Sequence, residues 1–158
     1  MCSDSCSGHP VSSSVTLLIA EDDDGHAELI VDLLREAGVK HPIIRCRDGQ
    51  EVLDRLASLG GDELPDGQRY LLTLDIRMPR VAGVDVLRQV KANPRWRDIP
   101  TIMLTTTDDP REIQTCYRLG CNCYIAKPVD FDQFADVVRQ LGQLLTIMQV
   151  PKLELASA

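Results

Sequence analysis

Leu71-Leu72-Thr73-Leu74-Asp75-Ile76-Arg77-Met78-Pro79 is the stretch that decides the fold of this chain. Three leucines and a threonine in four positions suit a strand covered on both faces, and Pro79 limits how far that strand can run. Asp75 then stands at the strand's C-terminal end. Open parallel α/β sheets gather ligands and chemistry just outside those ends, so the neighbouring segments matter for what they bring to the same edge.

Upstream, Val15 to Ala20 is an apolar run of strand length stopped by Glu21-Asp22-Asp23-Asp24 and Gly25. From His26 to Ala37 the residues Ala27, Ile30, Val31, Leu33, Leu34 and Ala37 recur at helical spacing, with Asp23 or Asp24 to cap the start and Gly38 to end it. Ile43 to Cys46 predicts a short strand and Gln50 to Leu59 a helix, followed by a polar loop over 60–68. Downstream, Asp85 to Ala92 predicts a helix introduced by Gly83, and Ile99 to Thr105 a strand ending in three hydroxyls. Asp108-Asp109-Pro110 starts a helix that runs to Leu119 and stops at Gly120. Asn122 to Ala126 predicts a fifth strand running into Lys127-Pro128, and Asp130 caps the last helix. Short parallel strands need crossover helices, so this alternation predicts an α/β, flavodoxin-like, doubly wound sheet of five parallel strands in the order 2-1-3-4-5, with five helices.

The chain has 158 residues, 44% hydrophobic and 26% charged, which suits one domain with a proper core. Its formal net charge of −7 offers no basic excess for releasing counterions from phosphates. That balance argues against nucleic-acid and anionic-membrane partners and in favour of proteins or metals. No run approaches the roughly 18 apolar residues of a membrane span, and the N-terminus lacks a signal core, so a cytoplasmic location is expected. The Ser-rich residues 1–14 predict a flexible tail, residues 15–149 the folded domain and 150–158 a second tail. Cys46, Cys116, Cys121 and Cys123 fall in apolar segments and read as free buried thiols; Cys2, Cys6 and His9 form a weak metal-like cluster with no fourth ligand. His26 and His41 read as surface residues, and Trp96, between Arg95 and Arg97, as surface packing and not a base-stacking platform.

The expected topology collects Glu21, Asp22, Asp75, Thr105 and Lys127 at one edge. Neighbouring strands lie ~4.8 Å apart, which would set the carboxylates of strands one and three within a few ångströms of one another. Such a cluster either raises its pKa values or takes up a cation, and hard oxygens with room for water suit Mg²⁺. An Asp with Mg²⁺, a hydroxyl and an ammonium around it is placed to accept a phosphoryl group. Each part alone has a plainer reading. Acids favour helix starts, Lys-Pro is a turn, and a threonine run is a capping loop. Their convergence is what carries the chemistry.

At this point the chain resembles the receiver domain of two-component response regulators, through Ala20-Glu21-Asp22-Asp23, Leu74-Asp75-Ile76-Arg77-Met78-Pro79, Gly83, Leu104-Thr105-Thr106 and Tyr124-Ile125-Ala126-Lys127-Pro128. The resemblance implies a phospho-acceptor at Asp75, and Glu21 and Asp22 as the acidic pocket. It implies Asp22, Asp75 and the Arg77 carbonyl as Mg²⁺ ligands, with Thr105 and Tyr124 as switch residues, Lys127 binding the phosphoryl group, and a cis Lys127-Pro128 bond. It also implies a signalling protein that catalyses only its own phosphorylation and dephosphorylation. Arg77, expected to pair with the phosphoryl group or with Glu21, and Thr106, expected to narrow access to Asp75, depart from the family pattern. The sequence Asn122 to Lys127, the long 60–70 loop and the expected lack of an output domain resemble the small regulators paired with bacterial and cyanobacterial phytochromes. A histidine kinase, in particular a phytochrome, is thus the expected phosphoryl donor. Onward transfer to a histidine phosphotransfer protein is one alternative. A haloacid-dehalogenase-type aspartyl phosphatase is another, though it needs an acid where Arg77 stands, and a nucleotide-binding module lacks its Gly-rich loop.

Phe131, Phe134, Val138, Leu141, Leu145 and Met148 step by three and four along the last helix, as in a heptad seam, and Val137, Leu144 and Ile147 widen its apolar face. A homodimer through the helix over 130–149 is the expectation, against the plainer reading of an ordinary core-facing helix.

Overall fold

The computed structural model describes residues 15–58, 69–151 and 153. The predicted loop over 60–68, Leu59 and the Cys2, Cys6, His9 cluster lie outside them. Strand and helix alternate throughout: β1 (Val15–Ala20), α1 (Asp24–Glu36), β2 (Ile43–Cys46), α2 (Gly49–Ser58), β3 (Arg69–Leu74), α3 (Gly83–Ala92), β4 (Thr101–Thr105), α4 (Pro110–Leu119), β5 (Cys123–Ala126) and α5 (Phe131–Ile147). All strand pairs are parallel and the order is β2-β1-β3-β4-β5, the predicted topology.

Alternation along the strands splits the core in two. Leu18, Ala20, Leu72, Leu74 and Met103 face α2, α3 and α4, where they meet Val52, Leu56, Val86, Leu87, Val90 and Cys116. Leu17, Ile19, Leu71, Ile102 and Leu104 face α1 and α5, against Ile30, Leu33, Leu34, Phe134, Val138 and Leu141. Burial on both faces explains why β3 reads as a continuous apolar run. Helix starts follow the capping logic: Asp23 accepts from the His26 N–H, Asp109 from Arg111 with Pro110 beside it, and Asp130 from Gln133. Gly120 ends α4 at φ 109°, a left-handed conformation suited to glycine.

Several expectations are corrected. β4 begins at Thr101 and not at Ile99, because Ile99 N–H donates to Trp96 O in a turn and Pro100 has no N–H to give. No described peptide bond is cis, so Lys127-Pro128 is trans, the isomer that X–Pro bonds favour by about 0.5–1 kcal/mol. Phe134, Val138, Leu141 and Leu145 are buried in the protein's own core, so the 3-4 pattern of α5 is mostly core-facing. Val137 is half-buried, while Leu144 and Ile147 are 43% and 73% exposed. Past α5 the chain still packs: Val150 is buried on the α1–α5 side and Leu153 lies against the opposite core layer, where the sequence predicts a free tail from residue 150.

Cys46, Cys116 and Cys121 are buried free thiols and Cys123 a half-buried one, and burial pushes Cys46 and Cys121 up to about 11. The exposed His26 ring stacks near Phe134, with centroids 5.8 Å apart, and Trp96 packs against the core edge. No helix of the described residues is long and apolar enough to cross a membrane.

Candidate functional site

Parallel register assembles the site. Ala20 pairs with Leu74 across β1 and β3, and Asp75 N–H donates to Ala20 O at 3.2 Å, so Glu21 and Asp75 leave the sheet side by side. Thr105 pairs with Ala126 across β4 and β5, and Lys127 N–H donates to Thr105 O at 2.7 Å. Lys127 is thereby carried to the edge that bears Asp75. Its ammonium donates to Glu21 Oε2 and, at 3.1 Å, to Asp75 Oδ2.

Glu21, Asp75 and Lys127 are 2%, 7% and 5% exposed. Desolvation pushes the Glu21 carboxyl up from its ordinary value, and the hydrogen bond and charge of Lys127 oppose that shift. Asp22 is exposed at the mouth. One oxygen each of Glu21, Asp22 and Asp75 lies within 4.8 Å of the others. Three carboxylates against one ammonium leave two negative charges. The donors are hard oxygens and one of them opens to water, a set that fits a hydrated divalent cation such as Mg²⁺.

Arg77 N–H donates to Asp75 Oδ1 at 3.3 Å, which turns the chain back over the acid. Its side chain is exposed and makes no ion pair with Glu21, whose partner is Lys127, so the expected Arg77–Glu21 pairing is absent. Thr105 is fully buried, with Oγ1 accepting from Ile76 N–H and Thr107 N–H, both at 3.5 Å. Tyr124 is half-buried and donates its hydroxyl to Thr107 O at 2.6 Å; burial pushes that phenol up to about 12. Thr105 and Tyr124 therefore both hold the segment between β4 and α4. Thr106 is exposed.

Gly83 was legible as a helix start, but its closeness to the acid was not. A Cβ there would fall 1.9 Å from Asp75 O, and its N–H donates to Ile76 O at 2.8 Å. Three other residues escape sequence reasoning. Arg45 of β2 grips the β1–α1 loop, and Asp48 pairs with Arg80 of the β3–α3 loop. The only sequence signal for Arg45 is a lone charge inside a short apolar strand.

A sequence profile of the response regulator receiver domain matches residues 17–139. The chain belongs to that family. Among curated relatives, this receiver is 35% identical to the probable methanogenesis regulatory protein FilR2 of Methanothrix harundinacea, over 80% of this chain and 81% of that one. It is 31% identical to response regulator Rcp1 of Synechocystis sp., over 70% and 75%. Among solved structures, a receiver domain from Rhodospirillum rubrum is 46% identical with a TM-score of 0.79, covering 88% of this chain and 99% of that one. The phosphorylated cyanobacterial phytochrome response regulator RcpA gives 27% and 0.77, over 88% and 99%. The Mn²⁺-bound form of Rcp1 gives 27% and 0.73, over 86% and 98%.

Proposed function

We propose that this receiver accepts a phosphoryl group from a histidine kinase onto Asp75, in a reaction that requires Mg²⁺, and signals through protein contacts that depend on that group. One observation carries the reading: the Asp75 carboxylate lies beside the Lys127 ammonium, within 4.8 Å of the Glu21 and Asp22 oxygens, in a pocket with two uncompensated negative charges. Asp22, Asp75 and the Arg77 carbonyl would hold the cation, and the cation would shield the oxygens of the incoming group. An Asp75 oxygen forms the new P–O bond while the donor's P–N bond breaks, and the electron pair leaves on the imidazole nitrogen, which takes up a proton. Lys127 holds Asp75 in place and balances charge on the phosphoryl oxygens. Thr105 and Tyr124 read the change, since both bond to the segment around Thr107 and a new partner for Thr105 alters that arrangement.

The donor we infer is a phytochrome-type kinase, on the support of the similarity to RcpA. The site works in the cytoplasm with no nucleic-acid partner, consistent with the net charge of −7. We further propose a homodimer through α5, in which a second copy covers Leu144 and Ile147. Leu145 is buried, so replacing it would damage the core; Ile147→Glu is the proper probe, and a monomer by sedimentation at micromolar concentration would refute the dimer.

Incubation with Mg²⁺ and a small phosphoryl donor, followed by intact mass, tests the main reading. One phosphoryl increment is expected, lost in Asp75→Asn and in chelator. Equal uptake by Asp75→Asn would overturn it.

A further inference from the structure

Two loops would carry the cation's ligands: β1–α1, with Asp22, and β3–α3, with the Arg77 carbonyl. Both are tied to one place that supplies no ligand, the corner where β2 turns into α2. Arg45 stands opposite Ile19 in the sheet, one step before the strand ends, so its side chain reaches past the end of β1. Its Nε and Nη2 donate to Glu21 O at 3.1 and 3.0 Å, Nη2 also donates to Asp22 O at 3.2 Å, and Nη1 pairs with Asp24. A planar fork is needed for that set, because an ammonium is a point donor. The guanidinium therefore fixes the backbone of consecutive acids that would otherwise repel one another.

Three residues on, Asp48 takes the other loop. Its Oδ2 and Oδ1 accept from Arg80 Nε and Nη2 at 2.9 and 3.1 Å, while Oδ1 also accepts from Glu51 N–H at 2.8 Å, so the carboxylate is anchored on α2. Arg80 has φ 65°, an uncommon left-handed conformation for a residue other than glycine. Beside this pair, Gly49 lies so close to the β3–α3 loop that a Cβ would fall 2.0 Å from Val81 O. The loop that turns at Arg77 is thus held by a bidentate ion pair and by backbone-to-backbone contact.

We propose that Arg45 and the Asp48–Arg80 pair are positioning residues for divalent-cation binding, holding the two ligand loops in register although none of them touches the cation. This rests on the reading of Glu21, Asp22 and Asp75 as a cation pocket. Electrostatics makes the proposal sharply testable. Arg45 and Arg80 are cations near an acidic pocket, so if they acted only through charge, removing either would tighten the binding of a dication. As positioning groups, their removal loosens it, and groups that orient metal ligands typically contribute about 10-fold or more in affinity.

The experiment measures Mn²⁺ affinity from the electron paramagnetic resonance of free Mn²⁺, for wild type, Arg45→Met, Arg45→Lys and Arg80→Gly, with thermal unfolding run on each. Arg80 is exposed and glycine suits its φ, so Arg80→Gly keeps the test open if an Arg45 variant does not fold. Each variant is expected to bind Mn²⁺ about 10-fold more weakly than wild type, including Arg45→Lys, which keeps the charge and loses the fork. Affinity equal to or tighter than wild type in the folded variants overturns the positioning roles while leaving the pocket standing. A wild-type chain that does not bind Mn²⁺ overturns the pocket and the positioning roles together.

Discussion

Lys127→Met removes the cation buried between Glu21 and Asp75 at a small cost in shape. The ammonium serves two carboxylates, and the three side chains are only 2%, 3% and 9% exposed, so solvent does little to screen them. Removing one partner of a buried pair costs about 3–5 kcal/mol, because the remaining charge stays desolvated. Here two carboxylates would be left, but Glu21 is already biased by burial toward its protonated form, and taking up a proton caps the loss. A value near 3 kcal/mol follows at neutral pH in chelator. Mg²⁺ should then restore much of it: with no ammonium to oppose it, the dication takes the place of Lys127 beside Glu21 and Asp75 and displaces the proton taken up there, and a ligand at 100 times its Kd adds about 2.7 kcal/mol. Urea unfolding of wild type and variant, each with chelator and with saturating Mg²⁺, reads both quantities as shifts in midpoint at constant slope. A loss below about 1 kcal/mol in chelator would refute the account, as would a cation effect smaller in the variant than in wild type.

Gly83→Ala should lower stability by about 1–3 kcal/mol and slow phosphoryl uptake, because the added methyl meets Asp75 O at 1.9 Å; an unchanged urea midpoint would sink this. In alkaline titration followed by phenolate absorbance, one tyrosine should ionise near pH 12 and be missing from Tyr124→Phe. Since that folded value lies above the phenol's ordinary 10.0, the unfolded chain gives up its proton first, and the contribution of Tyr124 is lost as pH rises from 10 toward 12. Native protein at pH 8 should leave Cys46 and Cys121 unreacted with a thiol reagent, and unfolding should expose both; prompt reaction in the native state would show that they are not buried.

What the sequence made legible is what a parallel sheet dictates locally. Three strands deliver their group by a change from apolar to polar just past the strand end, Ala20 to Glu21, Leu74 to Asp75 and Ala126 to Lys127, and β4 delivers Thr105 as its own last residue. Strand spacing then forces those groups together, so the pattern of the sequence alone groups Glu21, Asp75 and Lys127. Arg77 was harder. Its backbone does turn over Asp75, two residues before it, but its side chain has several rotatable bonds and solvent to point into, and local pattern says nothing about that choice. The Arg45 and Asp48–Arg80 contacts were invisible for a related reason. They join residues 24 and 32 positions apart across loops whose conformations are set by tertiary packing.

α5 shows the other limit. Spacing of three and four marks a helix face and leaves open what covers it, because an α1–α5 layer and a coiled-coil partner ask for the same residues. The structure assigns that face inward. A Cβ at Gly142 would lie 2.6 Å from the Ala37 Cβ, so the small residue that lowers helix propensity is what lets α5 approach the end of α1. The close approach commits Val138, Leu141 and Leu145 to the core and leaves Leu144 and Ile147 on the solvent side of the same helix. A Gly142→Ala chain should therefore lose stability with Leu144 and Ile147 still in place, whereas Ile147→Glu should alter association with the core intact. The two variants separate the two uses of one helix that share a single periodicity in the sequence.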